Sequence, residues 1–227
     1  MKYAILGAGT SGLTAMGVIR KQTDNFVIIN GGALGTTCAR VGCMPSKAMI
    51  QSANLYHKRH ILSEFGLNGA EKLDIDTEKV LERVRRLRDR FTKGVQSGST
   101  DTLVENQFSN GYAKFVGPNT LEVNGEVIQA EKVIIATGSR PVVPDAWKAL
   151  GDKLLTSDEI FELPELPKRV AVVGLGIVGL ELGQALSRLG VEVVGFEMLK
   201  TVGGLSAPVA IDKAIELFSK DFPIHLG

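Results

Sequence analysis

Residues 3–20 read YAILGAGTSGLTAMGVIR. Tyr3 to Leu6 is an apolar run cut short by glycine, the pattern of a buried parallel strand. Gly7-Ala8-Gly9-Thr10-Ser11-Gly12 follows, and Leu13 to Arg20 then runs at helical spacing. Strand, GxGxxG and helix in this order have a physical reading. Gly7 makes the turn, Gly9 lets the backbone approach a pyrophosphate, and Gly12 lets helix pack on strand. Free N–H groups and the dipole at the helix N-terminus favour the phosphates. A second apolar run, Phe26 to Ile29, closes a βαβ unit. The fingerprint asks for an acidic residue at the end of that strand, to bind a ribose diol. This chain has Asn30, which can still donate and accept but lacks the charge.

The pattern recurs at residues 169–197, RVAVVGLGIVGLELGQALSRLGVEVVGFE. Arg169 to Val173 is expected as a strand, Gly174-Leu175-Gly176-Ile177-Val178-Gly179 as the loop, and Leu180 to Leu189 as the helix. Gly190 suits the position just past its end. Val191 to Phe196 is the next strand and runs into Glu197. A carboxylate there accepts from a ribose 2′-OH and repels a 2′-phosphate, which argues for NAD over NADP. Two such starts in one chain are far more specific than one.

Between the two copies, residues 46–62 read as a helix begun by a Pro-Ser cap. Thr77 to Val95 reads as a second helix, capped by Thr77. Its arginines (Arg83, Arg85, Arg86, Arg88 and Arg90) are expected on a solvated face with acidic partners. Residues 111–130 read as short strands with turns at Gly117-Pro118-Asn119 and Asn124-Gly125. Val133 to Ile135 is a strand that runs into Ala136-Thr137-Gly138-Ser139. Prolines then punctuate the crossing to the second βαβ unit, which puts a domain boundary near 145.

The only two cysteines, Cys38 and Cys43, lie in residues 35–47, GTTCARVGCMPSK. Residues five apart in a regular helix are too distant for a disulfide, whose Cα atoms stand about 4.4–6.8 Å apart. The backbone between the cysteines is therefore expected to be a distorted turn, with Gly42 supplying freedom and Pro45 suiting the first turn of the next helix. Two cysteines this close, with no secretory feature nearby, suggest redox chemistry rather than a structural staple.

This segment resembles the active-site signature of the flavin-dependent pyridine nucleotide–disulfide oxidoreductases, and most of all that of the dihydrolipoamide dehydrogenases. Both glycine fingerprints and the ATGS segment sit where that family places them. The resemblance implies an α/β fold of two Rossmann-like βαβ units with a small β-meander. Residues 1–145 would form an FAD-binding domain, and 146–227 the N-terminal part of an NAD-binding domain. It implies that Cys38 exchanges with the dithiol substrate, and that Cys43 lies against the flavin. Lys47 would stabilise the reduced flavin and the neighbouring thiolate, and Glu181 would pair with Lys47 near the nicotinamide. FAD contacts are implied for Gly7, Gly9, Gly12, Asn30, Thr37, Lys47, Ala113, Thr137, Gly138 and Ser139. NAD contacts are implied for Gly174, Gly176, Gly179, Glu181 and Glu197. The implied reaction oxidises a small dithiol or lipoyl substrate, dihydrolipoamide, to lipoamide with reduction of NAD. Implied partners are a second copy of the full-length chain and a 2-oxoacid dehydrogenase complex. The family's acid/base histidine has no counterpart motif among His57, His60 and His225. A fragment that is inactive alone is therefore expected. Alternatives are a glutathione or mercuric reductase-like enzyme, and a non-catalytic flavin-binding module.

Composition fits this reading. The chain has 227 residues, 44% of them hydrophobic, and 26 glycines, which suits an α/β protein with tight turns. A formal net charge of +1 points to neither nucleic acid nor membrane as partner. No apolar run approaches the ~20 residues needed to span a bilayer. The N-terminus lacks the features of a signal peptide, so the cytoplasm is the expected compartment. No histidine or cysteine pattern suggests a metal.

Overall fold

The computed structural model describes residues 1–227. The chain forms two compact units, each built from two stretches: residues 1–44 with 88–156, and residues 45–87 with 157–227.

In the first unit, β1 (Tyr3–Leu6) leads into α1 (Thr10–Ile19) and β2 (Phe26–Asn30). Further along come α2 (Thr37–Arg40), β3 (Phe108–Asn110), β4 (Lys114–Gly117), β5 (Thr120–Val123), β6 (Glu126–Gln129) and β7 (Lys132–Ile135). Between α2 and β3 run two longer helices, α3 (Cys43–His57) and α4 (Thr77–Ser97), each shared between the two units. A parallel sheet has the order β3-β2-β1-β7. Its alternating side chains build two cores. Ile5 and Ile28 pack with Met16 and Ile19 of α1. Ala4, Leu6, Val27 and Ile29 pack on Leu121 and Val123. A strand buried on both faces must be apolar at every position, which is why β1 and β2 read as unbroken runs. The antiparallel meander β4-β5-β6 covers one face. Its β5–β6 turn sets both Asn124 and Gly125 at positive φ, 51° and 87°. That is the backbone a two-residue hairpin loop requires, and Asn-Gly supplies it at least cost.

In the second unit, β8 (Arg169–Val173), α5 (Ile177–Arg188), β9 (Glu192–Glu197), α6 (Pro208–Phe218) and β10 (Ile224–Leu226) form a parallel sheet of order β10-β9-β8. Gly190 ends the α5 turn at φ +93°, and Val191 N–H reaches back to the Leu186 carbonyl, a glycine-closed helix end. The buried Phe222 ring packs where Gly183 and Gly195 leave room. A Cβ on either would stand 3.1 Å or 2.9 Å from it.

Three local readings need correction. The helix placed at 46–62 starts at Cys43 and ends at His57, followed by 3-10 turns to Phe65. Pro45 still falls in its first turn, where its missing N–H costs no bond. The cap of α4 is Asp76, not Thr77: Asp76 Oδ1 accepts the Lys79 N–H at 3.0 Å. Two of the α4 arginines bind carbonyls instead of acids. Arg83 donates to the Ala48 carbonyl and to Gln51, and Arg85 donates to the carbonyls of Leu163 and Phe161. They therefore tie segments of the second unit together. β3 escaped sequence reading because three residues, FSN, carry too little pattern.

Candidate functional site

The two glycine fingerprints have the same construction. Gly7 stands at φ +106° and Gly174 at +92°. A Cβ on Gly12 would lie 1.9 Å from the Gly7 carbonyl oxygen, and one on Gly179 would lie 2.0 Å from that of Gly174. Each third glycine thus lets its helix sit directly on the first turn. Gly7 is constrained again, because a Cβ there would strike the Ala136 oxygen at 2.3 Å. The Ala136 N–H donates to the Leu6 carbonyl, so the ATGS segment is laid across the first fingerprint. Thr137, Gly138 and Ser139 follow it on the surface, with Gly138 at φ +73°.

The middle glycines differ. A Cβ on Gly9 or Gly176 would meet nothing within 4 Å. The chain's own packing does not ask for glycine there, whereas the approach of a phosphate does. Gly9 and Gly176 are the N-caps of α1 and α5. Neither cap has a side-chain hydrogen bond, and neither first turn holds an acid. Their first N–H groups remain for an anion. Both helix starts have a form that fits a dinucleotide pyrophosphate.

The strand ends carry Asn30 and Glu197. Asn30 Oδ1 accepts the Ala8 N–H at 3.0 Å, and its Nδ2 donates to the Gly32 carbonyl at 2.6 Å. Glu197 Oε2 accepts the Leu175 N–H at 2.8 Å, and its Oε1 accepts the Leu199 N–H at 3.1 Å. Ala113 is partly buried against the core of the first unit, at the turn between β3 and β4.

Cys38 sits in α2, a four-residue helix that Thr36 caps by accepting the Ala39 N–H. Thr36 does this at a positive φ of +64°, a backbone that side chains seldom adopt. The Thr37 carbonyl accepts from Val41, and the chain then breaks at Gly42 before Cys43 opens α3. The expected distorted turn is this break between two helices. Both cysteines are thiols. Cys43 is exposed, and Cys38 is half-buried. Burial, and then a hydrogen bond shared with Cys43, raise the Cys38 thiol above its ordinary value. Lys47 follows Cys43 by one turn of α3. In the second unit its Nζ lies 2.6 Å from Glu181 Oε1 of α5.

No group of histidine, cysteine and carboxylate side chains could hold a metal ion. No helix is long and apolar enough to cross a membrane. His57 and His60 are exposed, with rings 5.5 Å apart, and His225 stacks on Phe196. All three histidines fall in the second unit, so the unit that carries both cysteines has none.

Dihydrolipoyl dehydrogenase of Trypanosoma brucei brucei is 34% identical over 202 residues, covering 85% of this chain and 41% of the relative. That of Thermus scotoductus is 33% identical over 218 residues, covering 93% and 46%. The chain thus spans less than half the length of these curated relatives. Among solved structures, the HOCl-induced flavoprotein disulfide reductase of Escherichia coli superposes with a TM-score of 0.81 at 22% identity, over 100% of this chain and 49% of that one. Its Cu(II) complex gives 0.80 at 20% identity, over 99% and 48%. These two establish the α/β fold. The sequence profile described as pyridine nucleotide-disulphide oxidoreductase matches residues 1–221, and the chain belongs to that family.

Proposed function

We propose that this chain supplies the dithiol and dinucleotide-binding part of a flavin-dependent oxidoreductase that oxidises dihydrolipoamide to lipoamide with NAD⁺. The observation that carries the reading is the cysteine pair: two thiols joined by a hydrogen bond across a helix break, with Lys47 one turn beyond. In this reading residues 1–145 hold FAD and residues 146–227 contribute the NAD site.

Substrate dithiol and the Cys38–Cys43 disulfide exchange through a thiolate attacking a sulfur. Cys38 is the interchange thiol and Cys43 the one that faces the flavin. The sum is dithiol plus NAD⁺ giving disulfide, NADH and a proton. FAD, when bound, supplies the two-electron relay between sulfur and nicotinamide. The residues orient it: Gly7, Gly9 and Gly12 admit its pyrophosphate, with Asn30, Thr37, Ala113, Thr137, Gly138 and Ser139 around it. Lys47 supplies a cation, and Glu181 holds that cation in place. Gly174, Gly176, Gly179 and Glu197 receive NAD. The whole protein is proposed to work as a homodimer, with a 2-oxoacid dehydrogenase complex as its partner.

The test is dihydrolipoamide-dependent NAD reduction by the enzyme that carries these residues. Cys43→Ser should abolish turnover and leave FAD bound. Loss of flavin from that variant would assign the cysteine a structural role instead. Residues 1–227 alone should show no turnover, since none of His57, His60 and His225 lies in an acid/base motif. Near-native turnover from them would overturn that part of the reading.

A further inference from the structure

Asn30 and Glu197 hold equivalent positions, each the last residue of the second strand of its βαβ unit. Each accepts the N–H of the residue between the first two glycines, Ala8 or Leu175. They differ at their other end. Two residues beyond Glu197 the backbone offers an N–H, that of Leu199, and a carboxylate accepts it. Two residues beyond Asn30 the backbone offers a carbonyl, that of Gly32, and only a donor can meet it. An ionised carboxylate has no proton to give, and its second oxygen would face the Gly32 oxygen. The amide orientation needs no choice, because one partner is a donor and the other an acceptor.

The neighbouring chain packs against the start of this turn. Gly111 N–H donates to the Asn30 carbonyl at 3.2 Å. A Cβ on Gly31 would run into the Tyr112 ring at 2.5 Å. Asn30 is thus anchored through its own carbonyl, and its amide meets the Gly32 oxygen as that peptide stands. The chain from Gly32 continues to Thr36 and into α2 with Cys38.

We infer that Asn30 is a positioning residue whose neutral amide is required by the reversed peptide at Gly32, so that the acid prescribed by the fingerprint would impair this site. Asn30 joins the phosphate loop to the turn that leads to the cysteines. Its relevance to FAD rests on the flavin site proposed above, while its role as a latch does not.

The experiment compares the chain with Asn30→Asp, a change of one atom, and with its mirror, Glu197→Gln. Without ligand at neutral pH, each variant should melt about 2–4 °C lower, from a lost hydrogen bond. For Asn30→Asp the deficit relative to the parent should close as pH falls through the carboxyl range, about pH 4, because a protonated carboxyl can donate to Gly32. A substitution that merely disturbed packing would show no such recovery. FAD titration, followed by flavin fluorescence, should give affinity about tenfold weaker for Asn30→Asp at neutral pH. If the parent chain takes up no FAD, the affinity comparison moves to the enzyme that carries these residues, and the ligand-free melting still decides the latch. Asn30→Asp as stable as the parent at neutral pH, or a deficit unmoved by acid, would overturn the inference.

Discussion

Lys47 Nζ and Glu181 Oε1 stand 2.6 Å apart although 134 residues separate them in the chain. Their side chains are 57% and 38% exposed. Ion pairs this open to solvent contribute about 0–1 kcal/mol. The pair does little to hold the second unit together; in the proposed function its value lies in aiming an ammonium group. Glu181→Gln should shift the urea midpoint by less than about 1 kcal/mol of stability. It should slow dihydrolipoamide-dependent NAD reduction by about tenfold or more in the enzyme that carries these residues, about 1.4 kcal/mol in the barrier. A clear loss of stability with turnover intact would make the pair structural.

The thiols should differ in reactivity. Thiolate is the nucleophile, so a thiol with a raised pKa reacts more slowly at neutral pH. Burial first, and the hydrogen bond with Cys43 second, raise Cys38 above 9.0. Cys43 is exposed at the head of α3. Iodoacetamide at neutral pH should therefore label Cys43 first, with the site read by peptide mass spectrometry. Labelling of Cys38 should climb about tenfold per pH unit until its thiol ionises. Cys43→Ala removes the second cause and leaves the first, so Cys38 should label faster yet remain slower than an open cysteine. Labelling of Cys38 ahead of Cys43 in the parent would contradict the assignment.

Much of this was legible in the sequence, for reasons that particular residues show. Gly7, Gly12 and Gly179 are forced by backbone contacts within a few residues or one strand away, so local spacing reveals them. Glu197 follows from its place at a strand end. The pairing of Lys47 with Glu181 came only through family resemblance, since no local pattern links residues so distant. The Asp76 cap was missed because Thr77 beside it is also a good cap, and only the hydrogen bond to Lys79 separates them. The bond from Asn30 to Gly32 was invisible because it depends on which way one peptide faces.

Cofactor choice should follow Glu197. Both its oxygens are held by backbone N–H groups, at 2.8 Å and 3.1 Å, so its charge stays fixed at the end of β9. A 2′-phosphate brought there meets that charge. NAD should be preferred over NADP by at least about tenfold, about 1.4 kcal/mol. Glu197→Ala should narrow the gap by weakening NAD and relieving NADP together. Equal catalytic efficiency with both cofactors in the parent enzyme would remove the argument.

The pH dependence of stability in the second unit should show two separate limbs. Asp221 has a side chain only 9% exposed and takes hydrogen bonds from Arg188 Nε at 3.0 Å and Gln184 Nε2 at 2.8 Å. Burial pushes its carboxyl up, but Arg188 and Gln184 outweigh it and hold the carboxyl below its ordinary value. Its contribution is therefore complete above about pH 4, and is lost as pH falls through the lower folded value. His57 behaves differently. Though His57 lies at the surface, partial desolvation and then the nearby Arg188 lower it from its ordinary value, against a smaller opposing pull from Asp221. A depressed histidine favours the folded state above its unfolded value, and that advantage declines as acid protonates the unfolded chain first. Denaturant midpoints measured from about pH 8 to about pH 2 should thus fall gently below about pH 6.5 and again below about pH 4. His57→Gln should flatten the first limb and leave the second. Asp221→Asn should cost about 1.5–3 kcal/mol at neutral pH, the worth of hydrogen bonds to a charged group, and flatten the second limb. If Asp221→Asn instead left the acid limb unchanged, the Arg188–Asp221 bond would not be what stabilises this end of α5.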